Sequence, residues 1–182
     1  MVRAGELAQH GVSRGMLHHL YRKGLLERAA RGLYRLPDRI PEESSLAQAA
    51  RLVPKGVICL LSALRFHDVG AQQPHQVWIA LPPKAWNPRV SAPALRIVRF
   101  SGPALSEGVE EHQMSGVTIR VYCVAKTVAD TFKYRNKIGL DVALEALRDV
   151  LARRKATRDQ IWHFASICRV QRVIRPYIEA LT

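Results

Sequence analysis

The sequence predicts an α+β fold in two parts, and three observations predict it. Short helical stretches stopped by glycine lead into two strand candidates within residues 1–39. Strand-like apolar runs begin at Gln76, and from Ala125 onward the apolar residues recur at helical spacing. A chain of 182 residues with 48% hydrophobic content is long and apolar enough for one ordinary domain or two small ones with a real core. That content argues against disorder, collagen and coiled coil.

The first element is a short helical stretch from Arg3 to His10, with Leu7 and Ala8 expected to face inward and Gly11 to supply the left-handed stop. Ser13 has the hydroxyl needed to cap a second helix running to Lys23, and Gly24 ends it. On this helix Leu17, Leu20 and Tyr21 make one apolar face, while Arg14, His18 and Arg22 repeat at i, i+4 and i+8 on another, flanked by His19 and Lys23. Leu25–Arg28 and Leu33–Leu36 read as two strands around Ala29-Ala30-Arg31-Gly32, with Gly32 taking the positive φ of a hairpin loop. A tight turn between two helices, followed by a basic hairpin, is the order of a winged helix-turn-helix. A solvated face is what most charged helix surfaces are; the basic hairpin behind this one favours DNA. Ser13, Arg14, His18, His19, Arg22 and Lys23 are the candidate contacts on the helix, and Arg28, Arg31 and Arg35 the candidate phosphate or minor-groove contacts on the hairpin.

Charge points the same way. The chain carries 28 Lys and Arg against 15 Asp and Glu, a net +13, and 21 of the basic residues are Arg, whose planar fork suits phosphates and guanine edges. The excess is +5 over residues 1–39, +1 over 40–119 and +7 over 120–182. The boundary is placed in Pro37–Glu43, giving a DNA-binding unit over 1–39 and a larger α+β unit over 44–182.

In the larger unit, Ser44 or Ser45 caps a helix holding Leu46, Ala49, Ala50 and Val53, and Gly56–His67 reads as a second, strongly apolar helix. Strands are expected at Gln76–Leu81 and Leu95–Phe100, then a hairpin of Glu110–Met114 and Val117–Cys123 turned by Ser115-Gly116. Arg96, Arg99 and Arg120 interrupt these strands, which predicts one covered sheet face and one basic face. Helices fill the remainder; the last, around Val170–Leu181, must kink or restart at Pro176.

Lys126 and Asp130 stand at i, i+4, which an intrahelical pair or cap would explain. Their company supports a second reading. Arg120, Lys126, Thr127, Asp130, Arg135, Asn136 and Lys137 lie on or just before one helix and form a candidate anion-binding surface for phosphate or RNA, extended by Arg153-Arg154-Lys155, Arg158, Arg169, Arg172 and Arg175.

No catalytic site, cofactor or metal is expected. The inner strand segments carry no carboxylate to hold Mg²⁺, and no nucleophile elbow, Walker loop or zinc-protease motif occurs. Asp141 and Glu145 read as a cap and a solvated helix face. Cys59, Cys123 and Cys168 are too few and too scattered for a disulfide framework or a metal knuckle. With no apolar run of about 18 residues and no signal-peptide pattern, a cytoplasmic location is expected.

The run Gly11-Val12-Ser13-Arg14, Leu17, Leu20, Gly24–Arg28 and Arg31-Gly32-Leu33-Tyr34-Arg35-Leu36-Pro37 resembles the N-terminal domain of the AbiEi family, antitoxins of type IV toxin–antitoxin and abortive-infection loci. Leu60–Leu64, Val77–Pro82, Ala125–Phe132 and Pro176–Leu181 are similar to the C-terminal region of that family in the same order. The family carries a helix ahead of the first one seen here, so the winged unit is expected to lack its first helix and to be weakened or to borrow packing. The resemblance implies a repressor of its own operon, bound as two copies to inverted repeats in double-stranded DNA. It also implies a C-terminal region, residues 44–182, that counters a nucleotidyltransferase-like toxin without a stable protein complex; its own partner stays open between RNA or the toxin's nucleic-acid substrate, the toxin itself and operator DNA flanking the winged-helix site. A plain winged-helix regulator with a signal-binding second region, or a metal-dependent nucleic-acid enzyme, stays open as an alternative.

Overall fold

The computed structural model describes residues 2–23, 26–35, 45–88, 90 and 92–181. Gly24 as a helix stop, Leu25 and Leu36 as strand residues, the linker at 37–43 and Ser44 as a cap lie outside the described residues. The fold is α+β.

The N-terminal elements run β1 (Val2–Arg3), α1 (Ala4–Gln9), α2 (Arg14–Arg22), β2 (Glu27–Ala30) and β3 (Leu33–Arg35). The helix expected from Arg3 starts at Ala4, because Val2 and Arg3 pair antiparallel with Tyr34 and Leu33 and add a third strand in the order β1-β3-β2. Glu6 closes the start of α1 by accepting the Arg3 amide at 3.0 Å. Gly11, at φ +78°, turns the chain toward α2. In this short helix Leu7 is only half-buried and Ala8 is exposed, against the expectation that both face inward. The first hairpin strand extends through Ala30 with a bulge between Arg28 and Ala30, leaving Arg31-Gly32 as the turn. Leu17 and Leu33 are the fully buried hydrophobics described in this unit.

The larger part holds α3 (Ser45–Leu52), β4 (Val57–Ile58), α4 (Leu60–Phe66), β5 (Val77–Leu81), β6 (Leu95–Arg99), α5 (Pro103–Ser106), β7 (Val109–Met114) and β8 (Val117–Tyr122). Four helices follow: α6 (Val124–Ile138), α7 (Leu140–Ala152), α8 (Arg158–Ile167) and α9 (Gln171–Ala180). The strands form one mixed sheet in the order β6-β5-β4-β8-β7. Pairing is parallel for β4–β8 and β5–β6 and antiparallel for β4–β5 and β7–β8.

The helix expected over Gly56–His67 is therefore two elements. Val57 and Ile58, β-branched and buried, form the central strand, and the helix begins only after Cys59. Gly56 is required at the entry to this strand, since a Cβ there would lie 2.5 Å from Ile79 Cγ2.

The sheet is covered on both faces, which corrects the expectation of one basic face. Ala49 and Val53, from α3 and the residue beyond it, pack with Val77, Ile79 and Leu81 on one side. Ala80, Val98, Phe100 and Tyr122 face the other side, where Tyr134 and Ile138 of α6 join them. This is the period-two alternation of β5 realised as a three-layer packing. Arg96 and Arg120 go to the second face and Arg99 to the first, each at a margin. Beneath α6, the residues Val128, Phe132, Leu147, Val150, Ile161 and Ile174 form the main helical core. Helix α9 continues through Pro176 as a single element rather than restarting there. No helix among the described residues is long and apolar enough to cross a membrane.

Candidate nucleic-acid interface

The surface of α2 follows from its cap and its one buried side chain. Ser13 sits extended at φ −70° and ψ 159°, and its hydroxyl accepts the Met16 amide at 3.2 Å, so its first task is to start the helix. Leu17 turns inward and is 2% exposed. At about 100° per residue this points Arg14, His18 and Arg22, and beyond them His19 and Lys23, away from the core. All five are exposed. Tyr21, expected on the apolar face, is 45% exposed, and Met16 is 53% exposed. Helix α2 therefore offers an outer surface of Arg, Lys and His side chains edged by an aromatic ring and a thioether.

The hairpin presents its arginines unequally. Arg31 is exposed at the turn, and Arg28 is exposed with its Nε donating to the Ala30 carbonyl at 3.3 Å. Arg35 is engaged: its Nε lies 2.6 Å from Glu27 Oε2 across the β2–β3 pair, and a second guanidinium nitrogen is 2.5 Å from the same oxygen. The sequence contained both partners, and the pairing became visible only once the hairpin register set Glu27 opposite Arg35.

The second group of candidates divides differently. Lys126, Thr127 and Asp130 are 0%, 1% and 1% exposed and do not reach the surface. The Lys126 ammonium donates to both Asp130 carboxylate oxygens at 2.6 Å and sits 4.8 Å and 4.3 Å from the Phe100 and Tyr122 ring centroids. Cys168 Sγ donates to Asp130 Oδ1 at 3.1 Å, and Thr127 Oγ1 to the Tyr122 carbonyl at 3.2 Å. Burial pushes the Asp130 carboxyl above the usual carboxylate range, against the pull of the Lys126 charge and the hydrogen bonds. It also pushes the Cys168 thiol up to about 12 and the Cys59 thiol well above its ordinary value, which leaves both as inert core groups.

What remains outside is Arg120, Arg135, Asn136 and Lys137. Arg120 is half-buried, 4.0 Å from Glu111 on β7, and Arg135 donates to the Phe132 carbonyl at 2.9 Å. Asn136 and Lys137 are exposed, with the Lys137 ammonium 5.6 Å over the Tyr134 ring.

The later basic run is partly structural. Arg153 donates to the Asp68 carbonyl and carboxylate, both at 2.6 Å, and Lys155 to the His67 and Asp68 carbonyls at 2.6 Å and 2.7 Å. Arg158 holds the Leu181 carbonyl at 2.7 Å, and Arg175 pairs with Glu179 at 3.3 Å. Arg154, Arg169 and Arg172 are exposed.

The carboxylates of α7 hold a loop as well. Glu145 accepts the Ala71 amide and Asp149 the Gly70 amide, each at 3.0 Å, beside an open groove also lined by Asp141, Leu144 and Arg148. Glu145, expected on a solvated helix face, is thus a tether for the segment after α4. Among the described residues, no three His, Cys, Asp or Glu side chains come together in a way that could hold a metal ion.

No curated protein sequence matches the chain. Residues 1–37 match the family described as "Transcriptional regulator, AbiEi antitoxin". The matched residues take in the five exposed basic side chains of α2 and its end and the three hairpin arginines, of which Arg28 and Arg31 are exposed.

Proposed function

We propose that the protein is a DNA-binding transcriptional regulator of the AbiEi antitoxin type. One observation carries this reading: the family match over residues 1–37 coincides with a capped helix whose outward surface is Arg14, His18, His19, Arg22 and Lys23, followed at once by a hairpin with Arg28 and Arg31 exposed. In this reading α2 enters the major groove, where Arg14 and Arg22 read base edges, and the hairpin lies against phosphates. The regulator represses its own operon, two copies occupying an inverted repeat, because one short helix reads too few bases for a unique site. The larger region carries the antitoxin activity against a nucleotidyltransferase-like toxin. The protein is not an enzyme and works without a cofactor.

Gel shifts of the full chain on the DNA upstream of its own gene test this. Specific retention that falls steeply with salt, and exceeds retention of unrelated duplex, is the expected result. Arg14→Ala and Arg22→Ala each remove about 1–3 kcal/mol of discrimination, and Arg31→Ala weakens all duplexes alike. Equal affinity for upstream and random duplex would sink the assignment. Co-expression with the neighbouring gene tests the antitoxin half: growth is rescued only where that neighbour is toxic.

A further inference from the structure

Trp86 is 78% exposed, the most open of the large hydrophobic side chains among the described residues. Its position is built. Arg99 of β6 donates one guanidinium nitrogen to the Pro82 carbonyl at 2.8 Å and the other to Asn87 Oδ1, and the Ala85 amide returns to the Pro82 carbonyl at 3.0 Å. Ala85 packs on the apolar layer beneath. The chain is thus pinned on both sides of the indole while the indole itself projects into solvent. An indole held open on a pinned segment presents a flat face on which a planar group can stack.

The surroundings state what kind of contact. From Val69 to Ser106 the sequence contains Lys84, Arg89, Arg96 and Arg99 and not one Asp or Glu. Lys84 and Arg96 are exposed, and Arg96 lies on β6, the edge strand, with its guanidinium 5.5 Å from the Trp78 ring. The register pair Leu81–Arg99 sets the Trp86 loop beside the end of β6. There the Tyr134 hydroxyl donates to the Arg99 carbonyl at 3.3 Å, and Lys137 covers the Tyr134 ring. Lys137 of α6, exposed, thus stands over a ring that is itself bonded to the end of β6.

An open indole two residues from an exposed lysine, at the end of an edge strand that carries Arg96, suits a ligand that offers a π-face and regularly spaced anions together. Nucleic acid does so, and only an unpaired strand leaves base faces free, since in a duplex they are already stacked on one another. We propose that residues 84–88 after β5 and the adjoining margin of β6 bind single-stranded nucleic acid, with Trp86 stacking on an unpaired base and Lys84, Arg96 and Lys137 contacting phosphates. This site is separate from α2 and stands without the duplex-binding reading.

Fluorescence anisotropy of the full chain with a labelled 12-nucleotide oligothymidylate, and in parallel with a labelled mixed-sequence duplex, tests it at low salt. Trp86→Ala should weaken oligothymidylate binding roughly tenfold and leave duplex binding unchanged, while Trp86→Tyr keeps most of it. Lys84→Glu with Lys137→Glu should weaken it and flatten its salt dependence. An Arg14→Ala, Arg22→Ala variant should keep the single strand whatever it does to the duplex. Absence of oligothymidylate binding by the unaltered chain, wild-type affinity in Trp86→Ala, or loss of the single strand in the α2 variant would each overturn the proposal.

Discussion

Lys126 Nζ lies 2.6 Å from both carboxylate oxygens of Asp130, one turn along α6, and neither side chain reaches solvent. The rings of Phe100, just beyond β6, and Tyr122, the last residue of β8, close over the ammonium, and Cys168 from the end of α8 donates to the carboxylate. The pair thus stands where the sheet, α6 and α8 meet. Taking two charges out of water is costly, and only a geometry this complete offsets it.

Removing one partner should therefore be far worse than removing both. Lys126→Met leaves an unpaired carboxyl in the core and should cost about 3–5 kcal/mol in urea denaturation. The double variant Lys126→Met, Asp130→Leu should recover much of that loss, giving a double-mutant cycle with a coupling well outside additivity. A Lys126→Met variant as stable as the wild type would mean that the pair is open to solvent after all.

His67 gives a pH prediction of definite sign. Its Nε2 donates to the Tyr122 carbonyl at 2.7 Å, and burial, with smaller pushes from His112 and Lys155, lowers its pKa below 6.5 against the opposing effects of that carbonyl and Glu110. The folded imidazole resists protonation that the unfolded chain accepts at about 6.5. Its contribution to stability is then complete above that pH and is lost as pH falls from there through the lower, folded value. Urea midpoints measured from pH 8 to pH 5 should decline, and His67→Gln should flatten that decline. An unchanged slope in the variant would assign the effect to another group.

Local chemistry was what the sequence made legible. The Ser13 cap, the Gly11 and Gly32 turns and the Ser115-Gly116 hairpin are each decided within a few residues, and each appears as read. The misreadings are elements decided from far away. Val57-Ile58 fits an apolar helix on its own and becomes a strand because β5 and β8 flank it; Val2-Arg3 becomes one because β3 is there to pair with. The i, i+4 spacing of Lys126 and Asp130 revealed a pair but not its burial, which depends on Phe100, Tyr122 and Cys168. The exposed cations of α2 were legible because a helix with a single strong apolar stripe has to show its other side to water.

The N-terminal unit should be the first to open. Among its described residues Leu17 and Leu33 are the buried hydrophobics, and α1 buries no residue, while α6 alone buries a run from Ala125 to Phe132. The Arg51–Glu6 ion pair, at 3.8 Å and partly exposed, adds little to hold it. Hydrogen exchange on the free chain should show amides of residues 2–23 and 26–35 exchanging well before those of α6 and α8, and, if the proposed DNA reading holds, gaining protection when the DNA upstream of its gene is added. Protection equal to that of α6 without DNA would contradict so small a core.

Glu27 should act as a brake on the hairpin's affinity for DNA. It is the acid of the β2–β3 hairpin, and it holds Arg35 through two nitrogens of one guanidinium. Because the pair is more than a third exposed on both sides, breaking it costs little stability, about 0–1 kcal/mol. Glu27→Gln removes one negative charge and frees Arg35 to reach a phosphate. Affinity for random duplex should rise several-fold, and the slope of log K against log salt should steepen by roughly one, the signature of a single added phosphate contact. Specific and random duplex should gain alike, since a phosphate carries no sequence information. In the Glu27→Gln, Arg35→Ala double variant the gain should vanish. A Glu27→Gln variant that leaves both affinity and salt slope at the wild-type values would show that Arg35 faces away from the DNA, and would confine the hairpin's contribution to Arg28 and Arg31.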